Sequence, residues 1–468
     1  RNRKRPMFSR TSSAALRLGA QRVTSAVAAP AASAAPSSAL LRLLLPHPSP
    51  HRRLLVTSSN GFATRSDSLT TSPAAAAAAK TTRAASTQST APMTTSAGHA
   101  LGAVRHDWTR EEVEALYDRP LLDLVFDAAT IHRQFHDPRQ VQQCTLLSIK
   151  TGGCPETCNY CSQSSSWKET TGLKSERLMQ VEPVLEAARR AKEAGSTRFC
   201  MGTAWRGPSQ VGKGQFERVL EMTGKVRDMG MEVCATLGML NHEQAQKLRE
   251  AGLTAYNHNL DTSPEYYPKV TSSRKYEDRL NTIAAVRDAG ISVCCGGILG
   301  LGEEDRDRAS LLRVLANLPE HPESVPINAL VPVKGTPMEN LTSPSGLEMV
   351  RAIAVARLVM PKTVVRLSAG RVNMSPADQA MCFLAGANSV FTGDKLLTTP
   401  NNEKTEDDTL MQELGLVGRP AFVPYLAGGA SSDGSDFPDQ AGQFVSASIK
   451  EGAERARSEA QAEHAASA

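Results

Sequence analysis

The chain has 468 residues, 40% hydrophobic and 22% charged, ordinary proportions for a globular protein and enough chain for one large α/β barrel with additions. Aromatic residues make up only 4%, which argues against a protein that binds nucleic acid by stacking on bases, and no apolar run reaches the roughly 18–20 residues of a membrane-spanning helix. The formal charge of +5 is uneven: residues 1–100 hold 13 of the 53 Lys/Arg and only Asp67 of the acids, so the remainder, with 40 basic and 47 acidic residues, is mildly acidic and presents no basic face for DNA.

Residues 1–66 are rich in Arg, Ser, Ala and Pro and contain no acid, the composition of an organelle transit peptide. The mitochondrial matrix is the expected destination, with the plastid as alternative. Thr70 to Ala100, including an alanine run, reads as a low-complexity linker, so residues 1–100 stand apart from the fold. A globular region is expected over 105–417. Beyond it, residues 418–468 are Gly-, Ser- and Asp-rich at first, with a solvated helix expected at Ser448–Ala460; this tail reads as flexible.

Two helices are predicted first, Trp108–Asp118, capped by Thr109 with Glu112 three residues on, and Leu121–Phe135. Strand-like runs then alternate with amphipathic helical runs. The strands are Cys144–Lys150, Thr197–Thr203, Glu232–Thr236, Ala255–Asp261, Ser292–Gly296, Val325–Leu330, Val364–Ser368 and Asn388–Phe391. Eight strands alternating with helices predict a (β/α)8 TIM-type barrel with an N-terminal helical extension, an open doubly wound sheet being the alternative. In a barrel, chemistry gathers at the C-terminal ends of the strands.

The first strand runs into CPETCNYC, with Cys154, Cys158 and Cys161 on a loop preceded by Gly152 and Gly153. Three thiolates so spaced can hold three corners of a cubane iron–sulfur cluster and leave one iron open to a small molecule. A structural zinc site would call for a second cysteine pair, and none is present. Cys200, Cys234 and Cys294 fall on three further strands and Arg366 on a fourth. They could converge on a second, smaller cluster, or each cysteine could be a small buried hydrophobe. Cys144, Cys295 and Cys382 read as inert, with Cys295 facing away from its neighbour Cys294. Asn257, Asn259 and Asp261 alternate along the fourth strand and Asn328 lies on the sixth. These amides suit a neutral ligand with N–H and C=O groups, or they bond among the loops. Asp261 and Arg279 are candidates for ribose hydroxyls and a carboxylate, or for a solvated ion pair. The glycines of GGILGLGEEDR, from Gly296, read as close approach of backbone to a flat ligand.

The loop CPETCNYC, with Tyr160 before its last cysteine, resembles the signature of radical S-adenosylmethionine (SAM) enzymes. STRFCMGTAWRGP, YNHNLDTSPEYY, SVCCGGILGLGE, ESVPINALVPVKGTP, VRLSAGR and KLLTTPN resemble the biotin synthase family within that superfamily, from about Trp108 to Leu416. The resemblance implies a [4Fe–4S] cluster on Cys154, Cys158 and Cys161, and a [2Fe–2S] cluster on Cys200, Cys234, Cys294 and Arg366. It implies SAM contacts from Tyr160, Asn257, Asn259, Asp261 and Arg279. Asn259, Asn328, Thr398 and Thr399 match positions that hold dethiobiotin. The implied reaction is sulfur insertion into dethiobiotin to form biotin, the last step of biotin biosynthesis. Implied partners are a ferredoxin- or flavodoxin-like electron donor, the iron–sulfur assembly machinery and a second copy of the chain, with no nucleic acid or membrane. Another radical SAM enzyme acting on a small neutral substrate, or a non-catalytic metal-binding barrel, are the competing readings.

Overall fold

The computed structural model describes residues 102–421. The expected transit peptide and linker, and the tail beyond residue 421, lie outside the described residues.

Every sequence-predicted strand appears, and the sheet they form closes on itself. The staves are β1 (Gln140–Lys150), β2 (Arg198–Thr203), β3 (Glu232–Thr236), β4 (Ala255–Asn257), β5 (Ser292–Cys294) continued by β6 (Gly297–Leu299), β7 (Ser324–Ala329), β8 (Val364–Leu367) and β9 (Ser389–Thr392). All neighbours are parallel, and β9 pairs back onto β1, with Cys144 opposite Phe391. Counting β5 and β6 as one interrupted stave, this is an eight-stave parallel barrel. The right-handed crossovers are helices such as Val181–Glu193, Lys213–Asp228 and Tyr276–Asp288.

Strand alternation sorts the side chains. Phe199, Met201, Val233 and Val293 face outward and join the large apolar core beneath the helices, while Cys144, Cys200 and Cys234 face inward with Phe391 and Leu396. Cys295 belongs to the outer core; its neighbour Cys294 lies inside, beside Arg366. The glycines that follow helices at Gly195, Gly230, Gly252, Gly290 and Gly386 all have left-handed φ.

The N-terminal extension is α1 (Arg110–Tyr117) and α2 (Leu121–Phe135). Thr109 caps α1 in a capping box with Glu112, an arrangement contributing about 1 kcal/mol. α1 packs against the helix Asp305–Ala316 and α2 against Gly346–Val359.

Two strand expectations are corrected. The fourth strand stops at Asn257 rather than Asp261, and Asp261, at φ +68, meets the sheet only through an isolated parallel bridge to Gly297. The fifth breaks at Cys295–Gly296. Its glycines approach protein backbone closely: a Cβ at Gly296 would collide with the Pro326 carbonyl of β7, and one at Gly297 would lie 2.9 Å from the Asp261 carbonyl. After β9 come elements the sequence did not signal, a hairpin of Lys395–Leu396 with Thr399–Pro400, the helix Lys404–Glu413, and Val417–Gly418, which pairs in parallel with the start of β1.

Candidate active site

The three-cysteine loop leaves the C-terminal end of β1 through two left-handed glycines, both at φ +69. A Cβ at Gly152 would sit 2.8 Å from the Lys174 carbonyl oxygen, so the turn requires glycine. Backbone bonds then close the loop: Cys154 N–H donates to the Gln163 carbonyl (2.9 Å), Ser165 N–H to Cys154 (2.7 Å) and Cys161 N–H to Cys158 (3.1 Å). Trp167 Nε1 donates to the Cys158 carbonyl at 3.1 Å. Glu156, 3% exposed, anchors the loop from below, paired with Arg206 (3.2 Å) and Arg274 (3.4 Å) and accepting from Ser273 Oγ.

These thiols are held in surroundings that disfavour the free thiolate. Burial pushes Cys161 up to about 12, and the neighbouring Cys158 adds to it. Burial also raises Cys154 and Cys158, the latter opposed by Arg274, whose Nη2 lies 3.2 Å from its sulfur. Such a loop ionises when a metal displaces the protons. Among the described residues no three His, Cys, Asp or Glu side chains converge tightly enough for one metal ion.

From this loop a cavity of about 300 Å³ descends into the barrel. Its walls bring together Tyr160, Cys161, Asn257, Asn259, Asp261, Arg279, Asn328, Thr398 and Thr399, with Cys200 and Cys234 deeper in. Apolar contributions come from Leu146, Ile298, Leu330, Val333 and Leu396. Asp261 accepts from Arg279 (2.8 Å) and lies 3.5 Å from Arg274, so this ion pair is buried rather than solvated. Arg279 also meets the Tyr267 hydroxyl (3.2 Å) and His258 Nδ1 (3.4 Å). Burial, with Arg279 and Arg274 next, depresses His258 far below its usual value and keeps it neutral. The amides split between the two readings. Asn328 is tied at both ends, donating to Gly297 O (2.8 Å) and accepting from Ala369 N–H (3.2 Å), yet lines the cavity. Asn259 accepts from Gly296 N–H at 3.2 Å, leaving its NH2 group to the cavity. Asn257 donates to the Cys294 sulfur at 3.3 Å. Thr398 is steadied by Ser162 Oγ at 2.9 Å.

The inner group is buried. Arg366 donates through Nε to Ser389 Oγ (3.0 Å), through Nη1 to Cys294 Sγ (3.6 Å) and through Nη2 to Cys144 Sγ (3.4 Å), and its guanidinium lies over Phe391. Burial opposes its charge, but the sulfurs of Cys144, Cys294 and Cys200 outweigh it and raise its pKa. The neighbouring sulfurs of Cys144 and Cys234, together with burial, push Cys200 well up. Cys144, against its burial, is drawn down to about 6 by Cys200 and Arg366. The donor set of soft sulfurs beside one cation fits a small anionic iron–sulfur cluster.

Models of two families match the chain: the Radical SAM superfamily over residues 148–315, and the Biotin and Thiamin Synthesis associated domain over 326–417. The mitochondrial biotin synthase of Arabidopsis thaliana is 60% identical over 317 residues, 68% of this chain and 83% of that relative. The chain belongs to the biotin synthase family. Other biotin synthases agree, that of Cytophaga hutchinsonii at 59% identity (68% of this chain, 94% of the relative) and that of Schizosaccharomyces pombe at 55% (72% and 92%). Among solved structures, methylornithine synthase (TM-score 0.57, 20% identity, 68% of this chain and 95% of that one) and an [FeFe]-hydrogenase maturase (0.59, 18%, 68% and 73%) share the fold. As a radical SAM enzyme of the biotin synthase family, this chain uses SAM and a [4Fe–4S] cluster.

Several residues at the site of this family member escaped sequence reasoning. Glu156, Arg206, Arg274 and Ser273 come from three separate segments, and no local pattern links them. One layer beneath the inner cysteines, Gln142, Arg198, Glu232 and Ser389 form a buried polar floor. Glu232 accepts from Arg198 (2.7 Å) and Gln142 (3.0 Å). A signal was available there: Arg198 and Glu232 each stand two residues before an inner cysteine, on the same face of the strand. Cys144 faces the same interior.

Proposed function

We propose that the chain converts dethiobiotin to biotin with two iron–sulfur clusters facing each other across the cavity, and that the observation carrying this is one continuous cavity lined by Cys161 and, deeper in the barrel, by Cys200 and Cys234. In this reading Cys154, Cys158 and Cys161 hold the [4Fe–4S] cluster, and Cys200, Cys234, Cys294 and Arg366 hold a [2Fe–2S] cluster. When bound, the first group supplies the electron that cleaves SAM to methionine and a 5′-deoxyadenosyl radical, and the second supplies sulfur.

The chain's own residues position and enclose. Tyr160, Asn257, Asn259, Asp261 and Arg279 hold SAM under the cysteine loop, the Arg279–Asp261 pair being fixed before anything binds. Asn259 and Asn328 face the cyclic urea of dethiobiotin, whose N–H and C=O groups match two amides. Thr398 and Thr399, on the hairpin over the cavity, receive its carboxylate. The apolar wall shields a radical from hydrogen-atom donors that solvent would otherwise carry to it. No acid–base pair is required, because hydrogen leaves an unactivated carbon as an atom.

Residues 105–417 form the catalytic barrel in this proposal, with 1–100 as a transit peptide and linker and 418–468 as a tail. The acid-free N-terminus and the mitochondrial relative both support the mitochondrial matrix. Family likeness supports a homodimer, a ferredoxin- or flavodoxin-like reductant and supply from the iron–sulfur assembly machinery.

The test is anaerobic reconstitution, reduction, and incubation with SAM and dethiobiotin, with both products followed by mass spectrometry. Biotin and 5′-deoxyadenosine are expected together, and Cys154→Ala should lose both. Deoxyadenosine without biotin from the unaltered chain would keep the radical SAM chemistry and remove the substrate. A preparation binding only zinc would remove the proposal altogether.

A further inference from the structure

The inner site contains one thiol more than that reading uses. Cys144 is fully buried on β1 and turned into the barrel with Cys200 and Cys234. Its sulfur lies 3.4 Å from Arg366 Nη2, while Cys294 lies 3.6 Å from Nη1 on the other arm of the same guanidinium. Cys200 lies opposite Cys234 across the β2–β3 ladder and shares one buried inner cluster with it and Cys144. Around the barrel the donors therefore run Cys144, Cys200, Cys234, Cys294 and Arg366, the last meeting the first. If Cys144 were merely a small hydrophobe, it would be poorly housed: Gln142 Oε1 is 3.6 Å away and Ser389 Oγ 3.7 Å.

A [2Fe–2S] cluster takes four protein ligands, ordinarily thiolates. A protonated guanidinium has no lone pair to give a metal, whereas the sulfur beside its Nη2 has. We propose that Cys144 is an alternative fourth ligand of the inner cluster, completing a four-cysteine set with Cys200, Cys234 and Cys294 whenever Arg366 is not bonded to iron. The inference rests on the two-cluster reading above. Arg366, lying between Cys144 and Cys294, then donates hydrogen bonds to sulfur and compensates charge. The exchange makes one iron–sulfur bond and releases one iron–nitrogen bond, with the Cys144 proton passing to the freed guanidine nitrogen; no electron moves.

The test is a double-variant cycle on the full chain, reconstituted anaerobically with ferrous iron and sulfide. Mössbauer spectra separate [2Fe–2S] from [4Fe–4S], and resonance Raman reports the ligands. Redundant ligands predict that Arg366→Gln and Cys144→Ala each keep at least about half the inner cluster, while the double variant falls at least about five-fold below either. The Arg366→Gln cluster should show the Fe–S stretching pattern of four thiolates. Circular dichroism checks folding, and Arg366→Met replaces Arg366→Gln if the latter does not fold. A double variant that keeps as much cluster as Arg366→Gln overturns the inference, as does loss of the cluster in a folded Arg366→Gln alone. If the unaltered chain takes up no [2Fe–2S] cluster, the two-cluster reading itself fails and this inference with it, a result distinct from either.

Discussion

Gly152 allows the geometry of the cysteine loop to be tested against a control in the same chain. Gly152 and Gly172 have nearly the same left-handed φ, +69 and +66. They differ in surroundings: a Cβ at Gly152 would lie 2.8 Å from Lys174 O and 3.2 Å from Ser175 Cα, whereas one at Gly172 would meet nothing within 4 Å. Gly172→Ala should therefore cost only the conformational penalty, about 1–2 kcal/mol. Gly152→Ala carries the same penalty plus an overlap with backbone that cannot rotate aside, a further 1–3 kcal/mol or so. The displaced segment leads directly into Cys154, and Gly152 N–H donates its fixing bond to Gln163 Oε1 at 3.1 Å, so the strain falls on the loop itself. Urea denaturation of the metal-free protein gives the two costs, and iron per chain after reconstitution gives the consequence. The expectation is a lower urea midpoint for Gly152→Ala than for Gly172→Ala and a loss of [4Fe–4S] content in the former alone. Equal midpoints and equal iron would show that the glycine pair does not set the loop.

Asp261→Ala removes the counter-charge of two buried arginines, Arg274 and Arg279, and should cost about 3–5 kcal/mol in urea denaturation; Asp261→Asn should cost less, and an effect below 1 kcal/mol or so for Asp261→Ala would contradict the buried pairing. Cys295→Ala should leave both clusters intact and cost about 1 kcal/mol of packing, because that thiol lies in the outer core; loss of the [2Fe–2S] signal in this variant would reverse the assignment of Cys294. Burial lowers His132 to about 2, so only the unfolded chain takes up its proton as pH falls below the usual imidazole value. Its contribution is complete above about pH 6.5 and some 2 kcal/mol is lost by pH 5. His136 and His258 shift in the same direction and add to the loss. Chemical denaturation at pH 8 and pH 5 measures this slope, and His132→Gln should flatten it; an unchanged slope would show that His132 is not buried in its neutral form.

The barrel was legible because strand and helix periods alternate over an uninterrupted region, and because a residue's face on a strand follows from counting by two. That counting put Cys294 and Cys295 on opposite faces, and the family resemblance made Cys294 the inner one. Counting could also have found Cys144, which lies inside like Cys200, but a cysteine without a motif gives no reason to look. The strand breaks were not legible. Asp261 takes a left-handed backbone that no local pattern marks, and Gly296 is required by the β7 backbone, a partner distant in sequence. For the same reason the supports of the cysteine loop were missed: Glu156 is held by Arg206 and Arg274, and only the closed barrel brings those residues beneath it. The hairpin bearing Thr398 and Thr399 is two residues per strand, too short to show alternation.

The central claim is that radical formation belongs to the outer cysteine loop and sulfur delivery to the inner thiols. A single-turnover comparison of the unaltered chain with Cys200→Ala, both reconstituted and given SAM, reductant and dethiobiotin, tests it most directly. Both should form 5′-deoxyadenosine, and only the unaltered chain should form biotin. Biotin from a folded Cys200→Ala at the unaltered yield would contradict the account.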